Sequence, residues 1–439
     1  MRPQFALTAI VLLACSGGSV SDTATGPVAP VDTTRPGPAT VQRSSLTVRV
    51  RIESVDATVA SAAGVGVSGI AVRIVRTGAT SDSRTATTSD DGTARFDNLL
   101  EGVYQVSIER RLNAAEIAKV PIADREVTVF AGGGQQVLSP PANAAVDVAL
   151  VANRRGSVVL SEVFAFNAPP SMDLLYGMGT YIAVYNNSDT TAYLDGMLIS
   201  VTPLTLHQGF PPNYPCDGAL KAERIDSTAM TVALIHQFPG TGREFPILPG
   251  QERVVAMDAI DHRIAAPGKQ QVDLSRADFE QIGSPADTDN PFAAKMINLF
   301  AGPGPFGRGY GYLFAPTAYA LSLPAARGAM VPARIISTTG LQTGQPFDVY
   351  RIPQRYVIDV MGVDFSPQEF GYDGSNRCVP FIAPVFERAP APLVNTMLSR
   401  AIARKSLGRT ADGREILQRT RTSARDLEYA DPLRRSLNK

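Results

Sequence analysis

Tryptophan is missing from all 439 residues, and histidine and cysteine each occur only three times. Each scarcity narrows the function. Tyrosine and phenylalanine can build an aromatic carbohydrate platform, but a chain with no tryptophan is a poorer candidate for a polysaccharide binder. The histidines, His207, His236 and His262, stand at no metal-ligand spacing from one another, and no CxxC or Cys/His cluster suggests zinc or thiol redox chemistry. Lys plus Arg and Asp plus Glu balance at 41 each, so no net field recruits nucleic acid. Neither HExxH nor GxSxG occurs. A literal Gly302-x-Gly304-x-x-Gly307 contains Pro303 and Pro305, which spoil the strand-to-helix turn that phosphate cradling needs. That loop, Phe300 through Phe314, reads instead as a contact surface, with Phe306, Tyr310 and Tyr312 as its candidate binding residues.

Long apolar runs are also scarce. The one at Phe5 to Leu13 spans about nine residues after Arg2, short of the roughly 20 a bilayer requires but suited to a signal-peptide h-region. It ends in Leu12-Leu13-Ala14-Cys15, which resembles a bacterial lipobox, with residues 1–14 as signal peptide and Cys15 as the lipidated mature N-terminus. Residues 15–44 are rich in Ser, Thr, Gly, Pro and Ala and have little apolar surface to offset the entropy of ordering, so they read as a disordered tether. A diacylglycerol plus an N-acyl chain meets the two-chain requirement for stable anchoring.

About 395 residues remain, enough for two or three domains with proper cores. With 37 Gly, 33 Pro and few sustained 3.6-residue periodicities, they read as mainly β. With Cys15 lipidated, Cys216 and Cys378 are left in an oxidising compartment and are expected to pair, two buried thiols being the alternative.

The first folded segment, 45–152, opens with the strictly alternating Leu46–Ile52. Gly69–Val75 reads as a strand, Thr88–Phe96 as a tight hairpin turn leading into another, and Leu99–Ile108 as a further strand entered through Gly102. Val146–Leu150 would close the set. This order resembles the prealbumin-like β-sandwiches of carboxypeptidase regulatory-like and collagen-adhesin B-type repeats, which implies a spacer role.

The second segment, 156–430, begins with strands at Val158–Phe164, Tyr181–Asp189 and Leu194–Ile199. These resemble the start of a lamin-tail domain, an immunoglobulin-like β-sandwich. Ser399–Lys405 and Leu417–Leu427 resemble its ending, but Arg419 stands where the pattern has Asp, and Arg421-Thr422 where it has an Asn pair. Between them lies a large irregular insertion at about 205–390. Its stretches Pro249–His262, Val272–Glu280 and Asp287–Pro291 resemble a Bacteroidota-type family of outer-membrane lipoproteins, domain of unknown function 4876, often found beside TonB-dependent transporters.

Three polar features are candidate sites. Asp287, Asp289 and Asn290 alternate oxygen ligands before Pro291 and could hold calcium, the alternative being an Asx-turn. Asp258 and His262 could form an i,i+4 pair on a helix, as a cap or surface pair more readily than as metal ligands. From Arg400 to Lys439, eleven Lys and Arg stand against five Asp and Glu, either to dock on an acidic partner or, as preferred here, as a solvated strand face and frayed end, with 431–439 as tail. The expected protein is a non-enzymatic outer-membrane lipoprotein, a binding or accessory component held at the membrane by its lipid and partnering a TonB-dependent transporter, with no nucleic acid and no obligate cofactor. A structural or adhesive cell-surface subunit is the alternative, and a hydrolase with its site in the insertion a weaker one.

Overall fold

In the computed structural model the described residues are 42–124, 126–164, 179–202, 226–265, 272–281, 290–301, 317–336, 346–365, 382–394 and 400–436. The first segment contributes β1 (Ser44–Ile52), α1 (Ala57–Ala63), β2 (Ala71–Arg76), β3 (Ala79–Thr87), β4 (Thr93–Leu99), β5 (Gly102–Arg111), α2 (Ala114–Lys119), β6 (Val129–Leu138) and β7 (Asn143–Asn153). Hydrogen bonding runs in the order β3-β2-β5-β6-β7-β1-β4. β6 meets β7 only at Val129–Ala131, so the ladder folds over there into two layers. β7 then pairs in parallel with β1 along Ser45–Ile52. Leu46, Val48, Phe96 and Leu150 from one layer meet Val72, Ile74, Tyr104 and Ile108 from the other in a single core.

The expected hairpin at Asp91-Gly92 is corrected. Asp91 accepts from the Thr93 N–H at 3.1 Å and Gly92 adopts φ 78°, as a tight turn requires. The flanking strands do not pair with each other, however: β3 joins β2, and β4 joins β1 in the opposite layer. The turn crosses between layers.

The second segment supplies β8 (Val158–Phe164), β9 (Tyr181–Asn186), β10 (Ala192–Tyr193), β11 (Leu198–Val201), β12 (Ala229–Val232), β13 (Leu234–Gln237), β14 (Pro246–Ile247), β15 (Glu252–Ala256), β16 (Phe279–Glu280), β17 (Ala294–Lys295) and β18 (Ile297–Ala301). It continues with β19 (Thr317–Ser322), β20 (Val331–Ile336), β21 (Pro346–Pro353), β22 (Val357–Phe365), β23 (Ala391–Val394), β24 (Ala401–Arg404), β25 (Ser406–Arg409), β26 (Glu415–Leu417) and β27 (Leu427–Ala430). Two sheets, β17-β16-β15-β9-β8-β24-β27 and β18-β13-β11-β19-β22-β23, face each other. Leu160, Ile182 and Val255 of the first pack on Ile199, Tyr319 and Met361 of the second. Much of this second sheet comes from 205–390. A third sheet, β12-β21-β20, covers its outer face through Met230, Val232 and Ile352. The other outer face, on the first sheet, is covered by Leu274, Ala277 and Leu433. With both faces covered, β8 and β9 are buried at every position, which explains their near-continuous apolar sequences. The third expected strand begins late, because Leu194-Asp195-Gly196 is a turn with Gly196 at φ 71°.

Burial of so many positions also encloses charge. Arg404 is 1% exposed, and its Nε donates to the Leu160 carbonyl at 2.7 Å. Nη2 donates to Asp359 Oδ2 at 2.9 Å and Nη1 to Asp426 Oδ2 at 3.2 Å, so one guanidinium ties β24 to β22 across the sandwich. The C-terminal basic stretch is therefore not simply a solvated face: Arg404 and Arg419 are both buried.

Gln42–Lys439 form one compact unit. The β25–β26 hairpin lies on the first sandwich, with Leu407 and Ile416 against Val129, Ala131 and Val151. Approach is close enough that a Cβ on Gly133 would come within 2.8 Å of the Gly408 Cα. The Arg409 N–H donates to Ser107 Oγ at 2.9 Å. Arg425 binds Asp56 and Glu53, and Arg388 binds Asp124 at 2.7 Å. The first sandwich is thus bolted to the second instead of standing off as a spacer.

Candidate functional site

Among the described residues lies a groove of about 530 Å³ whose lining includes Phe245, Arg253, Asp278, Phe279 and Phe292. Such a volume falls within the usual range for ligand clefts. Its lining mixes aromatic side chains with charged ones. Phe279 packs against Phe238 and Phe245 at centroid distances of 4.9 and 5.2 Å. Phe292 stands on the rim, 91% exposed. Arg253 and Asp278 are paired at 2.5 Å, and Glu244 and Arg276 complete a rim of mixed charge.

Two local devices hold these walls. On one side, Asp195 accepts from the N–H groups of Gly242, Glu244 and Phe245 at 3.2, 2.8 and 3.0 Å. Partial burial opposes ionisation there, yet the three backbone donors hold the carboxyl below its usual range. Gly240 makes the loop feasible: it adopts φ 93°, and a Cβ would lie 2.3 Å from Asp195 Oδ1. On the other side, Asn290 donates to the carbonyls of Ala259 and Ser275 at 2.8 and 2.9 Å, and its Oδ1 accepts from the Phe292 N–H at 2.9 Å. That Asx-turn aims Phe292 at the rim.

Of the residues singled out for calcium, only Asn290 lies within the described residues, and its side-chain oxygen faces the Phe292 N–H. Asp287, Asp289, Cys15, Cys216, Cys378, Phe306, Tyr310 and Tyr312 lie outside them. Among the described residues no three His, Cys, Asp or Glu side chains converge as a metal would need. Asp258 and His262 do not share a helix. The short helix begins at His262, whose Nε2 bonds the Asp258 carbonyl oxygen at 2.8 Å across a turn. No helix among the described residues is long and apolar enough to cross a membrane.

Sequence reasoning missed two carboxyls with altered acidity. Burial, helped by neighbouring Glu252, pushes Glu162 up to about 7. Glu162 accepts from the Tyr181 hydroxyl and, at 2.7 Å, from the Leu433 N–H. Burial likewise raises Glu387 to about 7, where Ser423 donates to it at 2.6 Å through its hydroxyl. The available signal was a carboxylate within an otherwise apolar strand, Val158–Phe164. Leu433 of the closing segment sits over Glu162, so this pair is a core feature and not a solvent-facing site.

Residues 248–432 match the family described as Protein of unknown function (DUF4876). A crystal structure of a DUF4876 family protein from Bacteroides thetaiotaomicron superimposes with a TM-score of 0.50 at 16% identity, over 89% of this chain and 97% of that one. This bears out the family resemblance and the mainly β fold. A DUF3823 family protein from Parabacteroides merdae matches 37% of this chain and 67% of its own at 10% identity and a TM-score of 0.18. A minor pilin from Streptococcus agalactiae matches 46% of this chain and 77% of its own at 14% identity and a TM-score of 0.14. Among curated proteins, none matches.

Proposed function

We propose, with the DUF4876 match over residues 248–432 as premise, that this chain is a lipid-anchored protein of the outer membrane that binds a partner through the Phe245–Phe292 groove. It acts as a non-enzymatic accessory component, and a TonB-dependent transporter is the expected partner. The observation that carries this reading is the groove: aromatic side chains in its lining, one of them 91% exposed, and neighbouring loops pinned by Asp195 and Asn290. An exposed aromatic beside a pre-formed recess with paired charges suits recognition. The charged wall groups Arg253 and Asp278 neutralise each other, which favours binding over proton transfer. The lipobox ending at Cys15 and the tether 15–44 supply the anchor.

Purification from native membranes tests the proposal. A stoichiometric TonB-dependent transporter should accompany the wild-type chain and be lost with Phe292→Ser at unchanged melting temperature. Self-association or matrix adhesion without a transporter would favour a structural or adhesive subunit instead. Cys15→Ala should release the protein into the soluble fraction; retention in the membrane would refute the anchor.

A further inference from the structure

A second recess lies where the first sandwich meets the C-terminal segment. It encloses about 160 Å³. Five arginines line it, Arg154, Arg388, Arg419, Arg421 and Arg425, against three carboxylates, Asp56, Asp124 and Glu126. Those carboxylates are already engaged. Asp56 binds Arg425 at 2.9 Å, Asp124 binds Arg388 at 2.7 Å, and Glu126 is shared by Arg154 and Arg421 at 3.0 and 3.4 Å. Two further carboxylates behind the lining, Asp359 on Arg419 and Glu53 on Arg425, complete the ion pairs.

Two donors are left over. Arg419 is 5% exposed; its Nε donates to Asp359 Oδ1 at 2.7 Å and its Nη2 to the Ile358 carbonyl. Its Nη1 is buried with no hydrogen-bond partner among the described residues. Arg425 repeats the pattern, with its Nη atoms on Asp56 and Glu53 and its buried Nε without a partner among the described residues. Leaving a buried charged donor unmatched is costly, and guanidinium groups suit carboxylate and phosphate oxygens. Burial lowers the Arg419 pKa from its usual range; Asp359 opposes this, while repulsion from Arg154 and Arg404 adds to it.

We propose that this cavity is a phosphate site, which binds a phosphate group, free or as a phosphomonoester, between the two sandwiches with Arg419 and Arg425 as its buried donors. A phosphate offers acceptor oxygens in more directions than a single carboxylate does, which suits donors on two separate arginines. The volume has room for one tetrahedral oxyanion, and the recess is open to solvent on one side, so the rest of a phosphomonoester can extend outward. The site is separate from the groove, so either can fail without the other.

Calorimetry and thermal melts of the full chain with inorganic phosphate, against chloride at matched ionic strength, test the site. Saturation should raise the melting temperature by about 3 °C at about a hundredfold excess over Kd. R419Q should weaken binding at least tenfold. If R419Q does not fold, R154Q removes a partly exposed lining guanidinium while Arg421 still holds Glu126, and it should weaken binding several-fold. Vesicles of phosphatidylcholine with phosphatidic acid separate the sources. Binding to vesicles but not to free phosphate, lost in R419Q or R154Q, supports the site with a lipid phosphate as its ligand. No phosphate effect beyond chloride together with no vesicle binding, or binding that both variants retain, overturns the proposal and leaves water as the partner of Nη1.

Discussion

Glu162 makes a quantitative claim on how stability follows pH. Its carboxyl titrates at about 7 in the fold against an ordinary 4.5. The folded chain therefore keeps a proton that the unfolded chain has released between those values. Stability from this group is fully present below the unfolded pKa and is lost as pH rises through the folded one, a total of about 3 kcal/mol. Most of that falls between pH 5 and pH 8. Glu387 acts in the same direction, whereas His236, buried neutral and lowered to about 3, opposes both because only the unfolded chain protonates it below 6.5. The wild-type profile mixes these opposing terms, so the difference between wild type and Glu162→Gln is the informative quantity. Glutamine reproduces the neutral side chain, and its carbonyl can accept from Tyr181 and Leu433 as Glu162 does. Urea unfolding followed by circular dichroism at pH 5, 6, 7 and 8 should show the variant gaining about 2–3 kcal/mol on the wild type across that range. Parallel profiles would refute the assignment of a buried, protonated Glu162.

Gly133→Ala should lift the β25–β26 hairpin, because the new Cβ would meet the Gly408 Cα at 2.8 Å. A loss of about 1–3 kcal/mol and faster amide exchange over 406–417 are expected, while Gly134→Ala, with its nearest contact at 3.4 Å, should cost less. Arg404→Met leaves Asp359 and Asp426 without their shared cation and should cost about 3–5 kcal/mol in urea unfolding. The proposed pairing of Cys216 with Cys378 should leave no thiol titratable in the denatured, unreduced mature protein; two free thiols would remove it.

Legibility followed how local each cause was. Alternation placed β1 at Leu46–Ile52 within two residues of its observed bounds, because one face of that strand is core and the other is not. The Asp91-Gly92 turn was readable as a turn, but turn chemistry does not state which strand each arm joins, and the arms went to different layers. The spacing of Asp258 and His262 suited a helix, yet a backbone bond formed across a turn. The groove depends on Asp195 capping a loop 47 to 50 residues away, a separation that no local pattern encodes.

The basic C-terminal stretch shows why composition misled. Six positive charges in excess over Arg400–Lys439 suggest a surface that faces solvent or an acidic partner. In the fold, much of that charge meets groups contributed from elsewhere in the chain. Arg404 and Arg419 converge on Asp359, Arg414 reaches Asp189, and Arg425 reaches Asp56 and Glu53. Arg419, Arg421 and Thr422, the positions that depart from the lamin-tail-like pattern expected from the sequence, line the cavity against the first sandwich. That is the same seam crossed by Arg425 and by the Gly133–Gly408 contact. These replacements and the docking of the first sandwich thus have one physical setting: a cationic C-terminal segment meets the acidic edge formed by Glu53, Asp56, Asp124 and Glu126, and its guanidinium groups line the recess between them.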